Sequence, residues 1–180
     1  MASWQTTGTR PVYSNAWIEV HEHDVIRPDG TPGIYGVVGI RQPAVFVVAV
    51  TEADEVVLVT LDRYTVGPSV EVPAGGTDGE EPLVAAQREL REETGLTAST
   101  WTRIGGMQAL NGVCRAPEHV FLATGLSQDP ALADLLGEGI SEVRAVPFAD
   151  VLAMIAGGDI TDGETIAALM FASVHLGRAR

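Results

Sequence analysis

The chain has 180 residues, 46% of them hydrophobic, which suits one compact domain, with or without a short extension, and excludes disorder throughout. A net charge of −13, with arginine supplying all 11 basic residues, argues against non-specific nucleic-acid binding and a polybasic membrane contact; the lack of lysine excludes side-chain Schiff-base catalysis and the lysine-dependent phosphate loop. No apolar run is long enough to span a bilayer, no secretory signal is visible, and the single Cys114 forbids an intrachain disulfide, so a soluble cytoplasmic protein is expected.

In chain order, residues 1–10 are polar and read as a frayed end. Residues 16–26 and 33–40 alternate loosely around the turn Pro28-Asp29-Gly30 and predict an antiparallel hairpin. Beyond Pro43, residues 44–50 and 56–59 are continuous apolar runs joined by a polar turn. They predict neighbouring strands with helices on both faces. Residues 73–79, rich in glycine, read as an irregular loop. A helix over 83–94 follows: Pro82 suits its first turn, Glu80 and Glu81 complement the positive end of its dipole, and Gly95 stops it. A strand near 101–108, a loop over 109–117 and a strand over 119–124 come next. Then follow an acidic loop or short helix over 129–139 and a strand over 143–146. Helices over 149–156 and 163–176 close the chain; Asp162 caps the second, with Ile166, Leu169, Met170 and Val174 as its buried stripe. This order predicts an α/β protein, a mixed sheet between helical layers, with the hairpin as an accessory unit.

The helix over 83–94 carries the chemistry. Glu89 and Glu93 are four residues apart and Glu92 is three from Glu89, so all three carboxylates can share one edge. They repel one another unless solvated or bound to a hard cation such as magnesium, which takes oxygen ligands and keeps waters for a phosphate. Arg88, four residues before Glu92, can hold that carboxylate, and the glycine-rich loop offers backbone groups to metal or phosphate. A solvated helix face remains the alternative on spacing alone.

The flanking residues extend the pattern. After Glu80 come seven residues, then Arg88-Glu89-Leu90-Arg91-Glu92-Glu93-Thr94-Gly95-Leu96, which resembles the signature of the Nudix hydrolase family. The departure is upstream: Val72-Pro73-Ala74-Gly75 aligns with the family's Pro-Ala-Gly only if one loop residue is deleted between Gly75 and Glu80. The resemblance implies a Nudix-type α/β/α sandwich over residues 43–180, preceded by a β-hairpin extension over 1–42. Val56-Val57-Leu58-Val59 leading to Arg63, then Glu71-Val72-Pro73-Ala74-Gly75, and the hairpin look most like the branch that hydrolyses ADP-ribose and nucleotide sugars. That branch usually carries Pro-Gly in a loop where this chain has Asn111-Gly112. A homodimer is implied, with the extension in dimerisation and substrate contact. Hydrolysis of non-standard nucleoside triphosphates is the alternative activity, and a non-catalytic nucleotide-binding module is a third.

By resemblance, Glu89, Glu93 and the carbonyl of Ala74 ligate magnesium, with manganese a possible substitute. Glu92 is a further ligand or orients water. Glu138, flanked by glycines, is preferred over Glu142 as general base. Arg63 is expected on the substrate phosphates, Arg41 assisting, and Glu118 in a substrate or metal role. His21 and His23 share a strand face without a third ligand and read as surface residues. Trp17 and Tyr35 read as packing aromatics with stacking as the alternative, and Cys114 has no evident base partner.

Overall fold

The computed structural model describes residues 3–129 and 139–179. The elements run β1 (Gln5–Ser14), β2 (Ile18–Ile26), β3 (Pro32–Ile40), β4 (Ala44–Ala49), β5 (Glu55–Arg63), β6 (Gly67–Glu71) and β7 (Ala74–Gly76). They continue with α1 (Pro82–Thr94), β8 (Leu96–Gln108), β9 (Cys114–Arg115), β10 (Pro117–Gln128), β11 (Ile140–Pro147), α2 (Phe148–Gly157) and α3 (Gly163–His175). Two compact units result: one from the described residues up to Pro43 together with Gln108–Pro117, the other from Ala44–Met107 and the described residues from Glu118 onward.

The first unit is a four-stranded sheet in the order β1-β2-β3-β9. The expected hairpin is present as β2 and β3, antiparallel from Ile18–Ile40 to Ile26–Pro32. The expected frayed end is not. Gln5–Ser14 pairs antiparallel with β2, with register shifts at Thr6/Gly8 and Pro11/Tyr13. Its side chains are almost all exposed, so ladder hydrogen bonds hold the strand and no apolar alternation marked it. Part of the expected loop over 109–117 is β9, parallel to β3. His23 is buried with Val25, both on one face of β2, and so is not the surface residue expected.

In the second unit β4 organises the core. Val45, Val47 and Ala49 pack with Ala85, Ala86 and Leu90 of α1, while Phe46, Val48 and Val50 pack with Phe148 and Val151 of α2 and Ala168, Leu169 and Ala172 of α3. Alternate side chains thus face opposite helical layers, which explains the unbroken apolar run. The sheet is mixed: β4 is antiparallel to β7 and parallel to β10, in the order β7-β4-β10-β8. The expected pairing of β4 with β5 is overturned. Strand β5 lies between β11 and β6 in a separate three-stranded sheet, meeting the end of β4 at the Val50–Val56 bridge. Strands buried on both faces carry no partner information in their pattern. The buried stripe of α3 also differs from expectation: Thr165, Ala168, Leu169, Ala172 and Ser173 are buried, whereas Met170 and Val174 are 54% and 62% exposed. Leu169 is buried and Ile166 packs against the core as expected, but small residues rather than Met170 and Val174 complete the face. No helix among the described residues is long and apolar enough to cross a membrane.

Candidate functional site

Helix α1 starts at Pro82, where a missing N–H costs nothing, and ends at Gly95 in the left-handed conformation, φ 69°, whose N–H donates to Arg91. Its buried face carries Ala85, Ala86 and Leu90, together with two carboxylates, Glu89 and Glu93, only 7% and 4% exposed. Burial of such groups demands specific partners. The N–H of Ala74 donates to Glu93 Oε2 at 3.0 Å, and a Cβ at Gly75 would overlap the Glu89 carboxylate. A side chain at residue 75 would have to displace the Glu89 carboxylate, and the two glutamates converge on the Ala74-Gly75 backbone. The segment expected to be irregular is thus a short strand paired with β4. The loop after it closes as a tight turn, Glu80 N–H donating to the Thr77 carbonyl at 2.8 Å with Asp78 and Gly79 at positive φ.

Glu92 points elsewhere, half-exposed, and Arg88 binds the group together. Its guanidinium donates to Glu89 at 2.6 Å, Glu92 at 3.1 Å, Glu80 at 2.9 Å and the Gly76 carbonyl at 2.8 Å. Burial opposes its charge, yet hydrogen bonds to Glu80, Glu92 and Glu89 hold its pKa above the ordinary arginine value. Among the described residues no three acidic, histidine or cysteine side chains already form a cation cage. The donor set nonetheless fits a hard divalent cation: buried carboxylates only, beside a backbone strand that approaches within reach because residue 75 has no side chain.

A cleft of about 500 Å³ opens over Ala74 and Gly75. On one side Arg63, at the end of β5, donates to Glu71 of β6 through Nε at 3.0 Å and Nη2 at 2.5 Å. That hydrogen-bonded pairing, with the nearby charges of Glu93 and Asp162, raises the Arg63 pKa against the cost of burial. The cleft is further lined by Glu118, at the start of β10, and by Asp162 and Glu164 around the first turn of α3. Glu118 is 7% exposed and its Oε2 has no hydrogen-bond partner. Burial, then the charges of Glu164 and Asp162, push its carboxyl up to about 7. Glu164 is also raised, by burial first and by Asp162.

Of the residues expected at the site, Glu89, Glu93 and Ala74 are brought together, Glu92 joins through Arg88, and Arg63 and Glu118 line the cleft. Arg41 belongs to the other unit, where it donates to the Asn15 carbonyl at 2.8 Å and the Ser14 hydroxyl at 2.6 Å. Glu138 lies outside the described residues. Glu142 is exposed on β11, 3.8 Å from Arg144. Tyr35 packs edge-on against Trp4 and donates to the Gly112 carbonyl, Trp17 is exposed, and Cys114 is half-buried in β9. Sequence reasoning missed Glu71, Asp162 and Glu164 as cleft residues. Asp162 was legible as a helix cap, its carboxylate accepting from Thr165 N–H at 2.7 Å, and that capping turn also delivers Glu164.

Comparison with known proteins bears on this geometry. Residues 40–169 match the model of the NUDIX domain, and residues 4–38 match that of the nucleoside diphosphate sugar hydrolase N-terminal domain. The chain is 32% identical to an ADP-ribose pyrophosphatase of Bacillus subtilis over 170 residues, covering 93% of this chain and 91% of the relative. It is 34% identical over 116 residues to a GDP-mannose pyrophosphatase of Yersinia pestis, covering 61% and 56% respectively. A solved structure of an ADP compounds hydrolase superposes with a TM-score of 0.84 at 20% identity, covering 98% of this chain and 97% of that one.

Proposed function

Because the chain belongs to the NUDIX domain family of hydrolases, we propose that it hydrolyses the pyrophosphate bond of a nucleoside diphosphate derivative such as ADP-ribose or a nucleotide sugar, with magnesium as cofactor. The observation that carries this reading is the meeting of buried Glu89 and Glu93 with the Ala74-Gly75 backbone, which lines a cleft together with Arg63. Similarity to relatives named ADP-ribose and GDP-mannose pyrophosphatases supports the same substrate class.

Water adds to one phosphorus, the bridging phosphorus–oxygen bond breaks, and a nucleoside monophosphate and a sugar phosphate leave. Glu89, Glu93 and the Ala74 carbonyl would hold the cation, with Glu92 as a further ligand or a group that orients water. When bound, the cation supplies charge neutralisation at the diphosphate and a more acidic water. Arg88 fixes the carboxylates of Glu89 and Glu92. Arg63, its plane set by Glu71, offers its remaining N–H groups to phosphate oxygens. Glu138 accepts the proton of the attacking water, with Glu142 as the alternative base. A homodimer, implied by the resemblance, is tested by light scattering.

The deciding assay measures released monophosphate from ADP-ribose, nucleotide sugars, dinucleoside polyphosphates and triphosphates, with and without magnesium. Glu93→Gln is expected to lower turnover by roughly a thousandfold, since each 1.36 kcal/mol of lost stabilisation is tenfold and several such increments depend on the cation. Near-normal magnesium-dependent turnover in that variant would refute the assignment.

A further inference from the structure

The turn between β8 and β9 carries Asn111-Gly112, which the proposed hydrolysis leaves unused. The chain has two asparagines, and their surroundings differ. Asn15 is held: its Oδ1 accepts from the N–H groups of Trp17 and Ile18 at 2.9 and 2.8 Å, and Ala16 follows it. Asn111 is exposed, as are Gly112 and Val113, and its side-chain amide has no hydrogen-bond partner among the described residues. The Gly112 N–H is likewise without an acceptor among them. The Leu110 carbonyl accepts from Val113 N–H at 2.8 Å and Cys114 N–H at 2.9 Å, so Asn111 and Gly112 are the central residues of the turn. A Cβ built on Gly112 would meet nothing within 4 Å. An unhindered amide nitrogen, on a residue with no side chain, therefore follows directly on an unrestrained carboxamide.

We infer that Asn111-Gly112 modifies itself, the Gly112 nitrogen attacking the Asn111 side-chain carbonyl carbon, and that conversion to isoaspartate loosens β9 from β3. A bond forms between Gly112 N and Asn111 Cγ, the Cγ–Nδ2 bond breaks, and ammonia leaves with the Gly112 proton. Water then opens the cyclic imide at either carbonyl, giving aspartate or, with the main chain rerouted through the side-chain carbon, isoaspartate. Either product adds negative charge to a chain already at −13. Isoaspartate also lengthens the backbone by a methylene inside a turn whose bonds set the edge of the sheet. The Gly112 carbonyl accepts from the Tyr35 hydroxyl, and the Val113 carbonyl accepts from Val38 N–H at 2.9 Å. The pairs Val38–Cys114 and Gly39–Arg115 follow at once. So short a strand has few ladder bonds with which to absorb the added length.

The test ages the purified chain in mildly alkaline buffer and maps its tryptic peptides by mass spectrometry. The peptide 104–115 is expected to gain the mass of an amide-to-acid exchange, placed on Asn111 by fragment ions, at least about tenfold faster than the peptide carrying Asn15. Isomerisation at Asp29-Gly30, Asp78-Gly79 or Asp162-Gly163 leaves the mass unchanged and does not register. Gly112→Ala, which the open space admits, is expected to suppress the gain. The aged wild type is expected to exchange the Val38, Val113 and Cys114 amide protons faster than the fresh chain, and the aged Gly112→Ala variant is not. Equal rates at Asn15 and Asn111, a gain on Gln108 instead, or an equal gain in Gly112→Ala overturns the inference. A mass gain on Asn111 without faster exchange at those amides overturns it too.

Discussion

Glu118→Gln probes the cleft without any substrate. Its carboxyl rises from an ordinary 4.5 to about 7 on folding because it is buried beside Glu164 and Asp162. The folded chain therefore holds this proton more tightly than the unfolded chain. Stability from the group is complete below about pH 4.5, falls as pH rises towards 7, and is absent above that. At 1.36 kcal/mol per pH unit the full difference is about 3–4 kcal/mol; solvent in the open cleft reduces it to about 1–2 kcal/mol. Glutamine keeps the shape and cannot ionise. At pH 8.5 the variant should melt about 2–8 °C above the wild type, on a sensitivity of about 2–4 °C per kcal/mol for a chain this size. At pH 4.5 or below the two should melt together, both side chains being neutral. Differential scanning calorimetry across this range decides it. A gain that does not depend on pH, or a loss at pH 8.5, would show that Glu118 already has a partner and that the electrostatic reasoning is wrong.

Three further variants test the geometry. Gly75→Ala places a methyl group into the Glu89 carboxylate and should cost about 1–3 kcal/mol in urea unfolding together with most of the activity; a wild-type midpoint would mean the strand is not confined there. Asp162→Ala removes the acceptor for Thr165 N–H and should cost about 1 kcal/mol, seen as a fall in Tm of about 2–4 °C; no change would show the cap to be redundant. Glu138→Gln should reduce kcat with little change in KM, whereas an unaltered kcat alongside a slow Glu142→Gln variant would move the base to β11.

The elements that were legible were those whose own residues specify them. Helix α1 is written by Pro82, the spacing of Ala85, Ala86, Glu89, Leu90 and Glu93, and Gly95, and it begins and ends within a residue of expectation. The same local marks placed Glu89, Glu93 and Arg88 together, because helical spacing converts directly into distance. What failed was information held in partners. Strand β1 exposes nearly every side chain and exists through its ladder with β2. The pairing of β5 with β6 and β11 cannot be read from an apolar run that would suit any buried neighbour. The cleft follows the same division. Glu71 and Glu164 come from β6 and α3, far apart in sequence, and nothing about either alone distinguishes a cleft acid from a surface one; Glu118 of β10 was reached only through the family resemblance. Their significance is created by topology: β4 lies between β7 and β10, so the strand that carries Ala74-Gly75 and the strand that begins at Glu118 flank it. The signature helix could therefore indicate the chemistry, whereas the acidic wall of the cleft had to wait for the sheet.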